Sequence, residues 1–501
     1  MARYGNEVGV FVETRMESVP LQPQAPDLPP AFIGPVFNIV DDDDDASTEV
    51  LDGDILESLG ELVLSYPSRE DANNPIDTDN VEVELLNASG YRKEIDSGHL
   101  TITDDEVTFD LTSAEDDLKE ISYDWGGDED ELDGIEGAEI LVKYRESRED
   151  LVGRVILAQG PTDHMQKLGG PNKDNPLGLM GSIAASVAPG TGCYYVPTKD
   201  YITEVDGADE GEEISLALER LQPKRVYSIT ALSNNPQVQQ SITSHVNMMS
   251  EPEEKKFRLA WTAIGMPELG EEIELEDGEE VSDLSPNEIK NRQADYLASY
   301  ASSVGNKRTI ILYQPFTTSI QGEEVELPSY YLAGMFNAFK ASLDPEQGLT
   351  RYNVPGVVKE LKYGDDYFNN KQLKTISEGG VFACEQEVVD APIYSRGQWT
   401  TNMLNNKTKQ VSIQYCRDYM SFAYMDTLEP MLGVNNVTDG TIDNIRRTIG
   451  TLHSTEMDEG PLISGELIDI YQDEDNSSRV NAKIENVYPS PLDQIVIVIE
   501  Y

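Results

Sequence analysis

Cysteine and histidine are both scarce. Cys193, Cys384 and Cys416 are scattered through a chain of 501 residues, too few and too far apart for a disulfide scaffold or a zinc cluster. Ordinary buried or free thiols are one reading of the odd count; a bridge between subunits is the other. The four histidines, His99, His164, His245 and His453, fall in different segments and read as packing or surface residues rather than as a ligand set. Basic residues are also in short supply, 37 Lys and Arg against 93 Asp and Glu, a net charge of -56. That balance excludes wrapping nucleic acid by phosphate neutralisation. Copies of such a chain would meet only with their repulsion screened, bridged by cations or offset by local basic patches. No run of about 18 apolar residues occurs, and no basic, apolar, small-residue leader opens the sequence, so neither a membrane span nor a secretory signal is expected.

Catalytic motifs are missing as well. Residues 188–193 are glycine-rich but lack the lysine of a phosphate-binding loop, and Gly190 and Gly192 are not followed by the third glycine of a dinucleotide fingerprint. There is no G-x-S-x-G elbow and no H-E-x-x-H. Carboxylates are so abundant that no pair stands out as an acid and a base. The acidic run at 41–45 reads as a solvated loop, and residues 124–131 resemble a calcium loop only loosely, because Leu132 stands where a ligand belongs. No catalytic, cofactor-binding or metal residue is assigned, and no cofactor is expected.

What is present is β-structure near both ends. Residues 493–501 contain five consecutive β-branched residues, Ile495, Val496, Ile497, Val498 and Ile499, apolar on both faces of a strand. Near the start, Val8, Val10 and Val12 alternate with Gly9 and Phe11. Such strands either complete the sheet of their own subunit or are donated to a neighbour. A proline-rich stretch at 19–35 favours polyproline II and spans on the order of 50 Å, enough to carry the first strand away from its own body.

Composition and periodicity divide the chain into a strand arm and proline-rich linker (1–40), an acidic β-rich insertion (41–153), an α/β domain (154–350) and a C-terminal domain with its strand arm (351–501). The α/β expectation rests on strands near 226–232, 259–264 and 308–313 alternating with helices at 213–221, 236–249, 286–303 and 329–342. Ser285 before Pro286 marks one helix start. A helix over 439–452 carries Ile442, Ile445, Ile449 and Leu452 at helical spacing, with Arg446 and Arg447 beside that stripe, read either as a contact for an acidic partner or as a solvated face. Strands at 464–471 and 479–487 follow, and Pro489 and Pro491 set the last strand apart.

Several segments resemble the contractile tail sheath proteins of bacteriophages and related injection systems. They are Gly9-Val10-Phe11-Val12-Glu13, residues 308–315, Ala333-Gly334, Gly379-Gly380-Val381, Arg396-Gly397-Gln398-Trp399-Thr400-Thr401, Arg417-Asp418-Tyr419, Gly460-Pro461-Leu462, Val487-Tyr488-Pro489 and 495–499, in that order. Pro392-Ile393-Tyr394 and Cys384 depart from the pattern, and residues 41–153 show little beyond a variable β insertion. The resemblance implies an α+β multidomain fold whose mixed α/β inner domain is completed by N- and C-terminal arms exchanged between subunits. It implies a structural, non-enzymatic subunit in hexameric rings stacked helically around a tail tube protein, with baseplate and neck or terminator proteins at the ends; an α/β enzyme with a small-molecule ligand and a static viral or surface-layer polymer are the alternative readings. The virion's contractile tail is the implied location, with assembly in the host cytoplasm and no membrane insertion. By the same analogy the helix bearing Arg446 and Arg447 faces the tube.

Overall fold

The computed structural model describes residues 28–490 apart from 41–50, 52–54, 57–58, 66–75, 77–80, 90, 104–105, 129–130, 203–207, 276–279, 321–322, 353–357, 362–367, 387–390, 406–407 and 434–435. Both expected arms, with Val8, Val10, Phe11, Val12 and Ile495 to Ile499, lie outside the described residues. The chain divides into two units, one of Phe32–Lys224 with Ile320–Val325, the other of Met1–Ala31, Arg225–Ser319 and Glu326–Tyr501. The division between Lys224 and Arg225 falls inside the stretch that periodicity joined as one α/β domain.

In the first unit, strand Glu139–Ser147 pairs antiparallel with Phe37–Val40 on one side and Glu82–Leu86 on the other, and Arg92–Glu94 extends that sheet. A second sheet has Glu106–Asp110 between Glu61–Ser65 and Leu100–Ile102. The alternation is the cause of the burial pattern: Val83, Leu85, Val107 and Phe109 are buried while Glu82 and Glu106 face water. Helix Glu115–Asp124 adds Leu118 and Ile121 to the same core. It is so acidic, with only those two residues buried apolar, that its sequence shows no obvious stripe.

Further along, strands Ile156–Gln159 and Gly192–Thr198 pair antiparallel. Helix Pro176–Val187 is buried almost all round, and Asn175 organises its start. The Asn175 carboxamide oxygen accepts from Phe37 N at 3.1 Å and Gly178 N at 3.3 Å, while its Nδ2 donates to the Leu168 carbonyl at 2.7 Å. Many of the acidic residues here decorate surfaces, but Glu146 and Asp200 are buried.

In the second unit, Ser228–Ala231, Leu259–Ala263 and Thr309–Leu312 form a parallel sheet, as their near-continuous apolar character predicts. Helices Pro236–Met249, Pro286–Val304 and Ser329–Ala341 stand between or after those strands. Ser285 and Glu288 form a capping box, with Pro286 in the first turn. The matched glycines serve close packing: a Cβ on Gly379 would sit 2.4 Å from Ala298 Cα, and Gly380 has φ +95. They let the chain run beside the sheet edge, where Phe382 N donates to Ile311 O and Thr401 N to Thr309 O. Helices Val411–Leu428 and Asp439–Glu459 and an antiparallel hairpin, Ser464–Gln472 with Val480–Val487, complete the unit. Among the described residues, no helix is long and apolar enough to cross a membrane.

Candidate functional site

The second unit holds two contrasting environments. At its centre, Asp418 on helix Val411–Leu428 is 1% exposed and receives a two-pronged ion pair from Arg308, at 2.7 and 3.0 Å. Tyr227 Oη donates to Asp418 at 3.1 Å and Gln414 Nε2 at 3.0 Å, while Arg308 also donates to the Arg258 carbonyl at 3.0 Å. Each charge is hydrogen-bonded on several sides, the condition under which a buried pair is tolerated. The pair ties the sheet to the helix across 110 positions of sequence. Arg308 and Arg417-Asp418-Tyr419 were matched as separate segments, and the fold brings Arg308 and Asp418 into contact.

The hairpin at the other end is a different object. Gly465 opposite Asn486, Leu467 opposite Ile484 and Ile470 opposite Ala482 share one face. That face meets helix Asp439–Glu459 so closely that a Cβ on Gly465 would sit 2.8 Å from the His453 ring. Its opposite face carries Glu466, Asp469, Tyr471, Lys483, Glu485 and Val487 in solvent, with Ile468 exposed in the bulge between Leu467 and Asp469. Among the described residues neither outer edge has a partner strand. Exposed Ile463, Ile468, Tyr471 and Val487 add apolar surface beside those open edges.

A small knot joins the hairpin to the helices. The Tyr424 hydroxyl lies 2.6 Å from His453 Nε2 and 3.1 Å from the Asn486 carboxamide oxygen, and Asn486 Nδ2 lies 3.3 Å from the Tyr488 hydroxyl. Burial lowers the His453 pKa, partly offset by its hydrogen bond to the Gly465 backbone, so a neutral imidazole is favoured beside Tyr424. Tyr419, Met420, Ala423, Leu452 and Leu462 form the adjoining apolar cluster, and Leu28, Tyr424 and Tyr488 pack against it. Leu28 and Tyr488, which directly follows the hairpin, thus meet at one cluster. Next to it, burial and the nearby Glu459 push the Glu456 carboxyl up to about 7, although Tyr419 donates a hydrogen bond to it.

Arg446 and Arg447 are both exposed, on a half of helix Asp439–Glu459 whose buried residues begin only at Thr448. Arg446 pairs with Asp443 three positions earlier. The helix runs nearly two turns beyond the expected 452, to Glu459. Cys193, Cys384 and Cys416 are all buried and unpaired by disulfide, and burial raises each thiol's pKa. A bridge to a neighbour from any of them requires the surrounding core to open. His164, His245 and His453 are buried packing residues, while His99 contacts Ser113 and Asp117. Asp128, Glu131 and Asp133 lie close together and are exposed.

No protein-family model matches this sequence, and no curated protein is similar to it. Solved structures are. The helical sheath of the anti-feeding prophage in its contracted state matches 70% of this chain and 89% of its own, at 12% identity and a TM-score of 0.51. This chain has a contractile-sheath fold. The contracted sheath complex of an extracellular contractile injection system, PVC, matches with a TM-score of 0.48, 12% identity and 70% and 87% coverage. The sheath tail protein of Desulfitobacterium hafniense matches at 0.44 and 7%, over 94% of this chain and 99% of its own. Within the sheath fold, the exposed hairpin and the cluster where Leu28 and Tyr488 pack form the candidate site.

Proposed function

We propose that this chain is the structural subunit of a contractile tail sheath. It polymerises helically, as stacked hexameric rings, around a tail tube protein and contracts to drive the tube through a host cell envelope. Baseplate and neck or terminator proteins bound the polymer, which belongs to the virion's tail and assembles in the host cytoplasm. The role is mechanical rather than catalytic.

The observation that carries this reading is the hairpin: two strands, both edges open among the described residues, apolar side chains in solvent, and Leu28 and Tyr488 packed in the cluster beside it. A two-stranded sheet is marginal by itself and gains stability from added strands. The strands at 8–12 and 495–499 supply that complement when they come from neighbouring copies. Pairing contributes about 0.5 to 1.5 kcal/mol net per hydrogen bond, and each buried Ile or Val about 1.5 to 3 kcal/mol. One exchanged strand therefore holds two subunits together while their bodies rotate. A contact that is not closed on itself propagates as a helix. Arg446 and Arg447, exposed on the outlying half of their helix, are assigned to the tube contact.

Electron microscopy of the purified protein tests the reading. The full chain is expected to form hollow helical tubes, and the chain lacking residues 493–501 to remain as soluble monomers. Tubes formed equally well by the truncated chain would refute arm exchange.

A further inference from the structure

The second unit also holds an open cavity of about 1090 Å³ with a character opposite to the rest of the chain. Among the described residues, Arg351, Lys374, Arg396 and Lys409 line it against Glu378 and Glu385, so in a protein of net charge -56 this described lining carries two more cations than acids. The internal pairing does not cancel them. Glu385 is shared by Arg396 at 2.5 Å and Arg351 at 3.7 Å. Lys374 meets Glu378 only at 3.6 Å, with both side chains about two-thirds exposed, a pair that contributes little. Lys409 lies 5.2 Å from the centre of the Trp399 ring, and among the described residues it has no carboxylate partner. Arg351 holds a left-handed backbone, φ 54, unusual for a non-glycine residue, and its side chain is 72% exposed at the rim.

We propose that this groove receives the acidic run at residues 41–45 of a second copy of this chain. The run offers five consecutive carboxylates with no intervening cation, the densest negative charge in the sequence. It begins directly after strand Phe37–Val40, whose pairing with Glu139–Ser147 fixes its point of departure. Copies that repel one another need a place where opposite charges meet, and such complementarity sets register and suppresses wrong contacts. Trp399 and the lysine and arginine stems give the groove apolar walls that strengthen an ion pair by partial desolvation. The proposal rests on the polymer reading above.

Calorimetric titration of the full-length protein, at a concentration below that of tube formation so that its groove is open, with a peptide of residues 38–50 tests it, beside microscopy of tube formation. The wild-type protein should bind the peptide, and binding should weaken steeply between about 50 and 300 mM salt. The double variant Arg351→Glu/Lys374→Glu changes exposed side chains only, and should weaken binding by about tenfold or more. A peptide with the five aspartates replaced by asparagine should not bind. Reversing charge in the partner, Asp43→Lys/Asp44→Lys, should restore tubes to the double variant. Absence of peptide binding, equal binding of the asparagine peptide, or binding of pyrophosphate but not of peptide overturns the proposal, whatever the tubes do. Groove-dependent peptide binding by a protein that forms no tubes supports the contact and counts against the polymer reading.

Discussion

The surroundings of Asp418 and the hairpin at 464–487 belong to one unit and are built on opposite plans. Around Asp418, charged and polar groups are buried, cross-linked and flanked by aromatic rings; Tyr227 and Tyr415 meet edge to face at 4.7 Å. In the hairpin one face is held by helix Asp439–Glu459 and a polar link to Tyr424, and the other has solvent where a sheet would have neighbours. The first arrangement makes a body that moves as a piece. In the proposed polymer the second is a receptor whose stability depends on what is added to it. A contractile lattice needs both, because rigid bodies can rotate past one another only if their links tolerate the motion.

Three changes probe that contrast, the most damaging first. Asp418→Ala leaves Arg308 buried without its partner and should cost about 3 to 5 kcal/mol of body stability, read as a lower urea midpoint. A change within measurement error would place the rigid centre elsewhere. Gly465→Val drives a side chain into the His453 ring, and should cost about 1 to 3 kcal/mol. The loss should be confined to the hairpin, seen as faster amide exchange over 464–487 with the sheet strands unaffected. If the strands Ser228–Ala231 and Thr309–Leu312 exchange faster too, hairpin and body are one cooperative unit and the contrast fails.

The third concerns Glu456, whose pKa lies near 7 rather than near 4.5 because burial disfavours its charge. Between those values the folded state binds more protons at Glu456 than the unfolded one, so this group's contribution to stability is fully present below about 4.5 and is lost as pH rises through about 7. Glu456→Gln should flatten that slope and stabilise the protein at pH 8 by on the order of 2 kcal/mol. An unchanged pH profile of thermal unfolding would show that the carboxyl stays hydrated.

Much of the fold was legible where each element speaks for itself. The alternation in Glu82–Leu86 and Glu106–Asp110, the buried runs of Leu259–Ala263 and Thr309–Leu312, and the cap at Ser285 carry their own signals. Helix Val411–Leu428 did not, because it is buried on most sides and so lacks an amphipathic stripe. Pro176–Val187 was hidden for the same reason. The candidate site was legible as strands at its edges but not as a knot. Tyr424, His453 and Asn486 come from three elements, and nothing local marks their meeting. The basic groove is a sharper instance. Its four cations are dispersed over nearly sixty positions of an acidic chain, and only folding collects them.

The most direct test of the central claim is a density map of the assembled polymer at a resolution that traces the chain through residues 8–12 and 495–499. The account predicts that both strands lie against the 464–487 hairpin of other subunits, so that each hairpin becomes a sheet built from several chains. Both strands lying against the hairpin of their own subunit, with no chain exchanged, would contradict it.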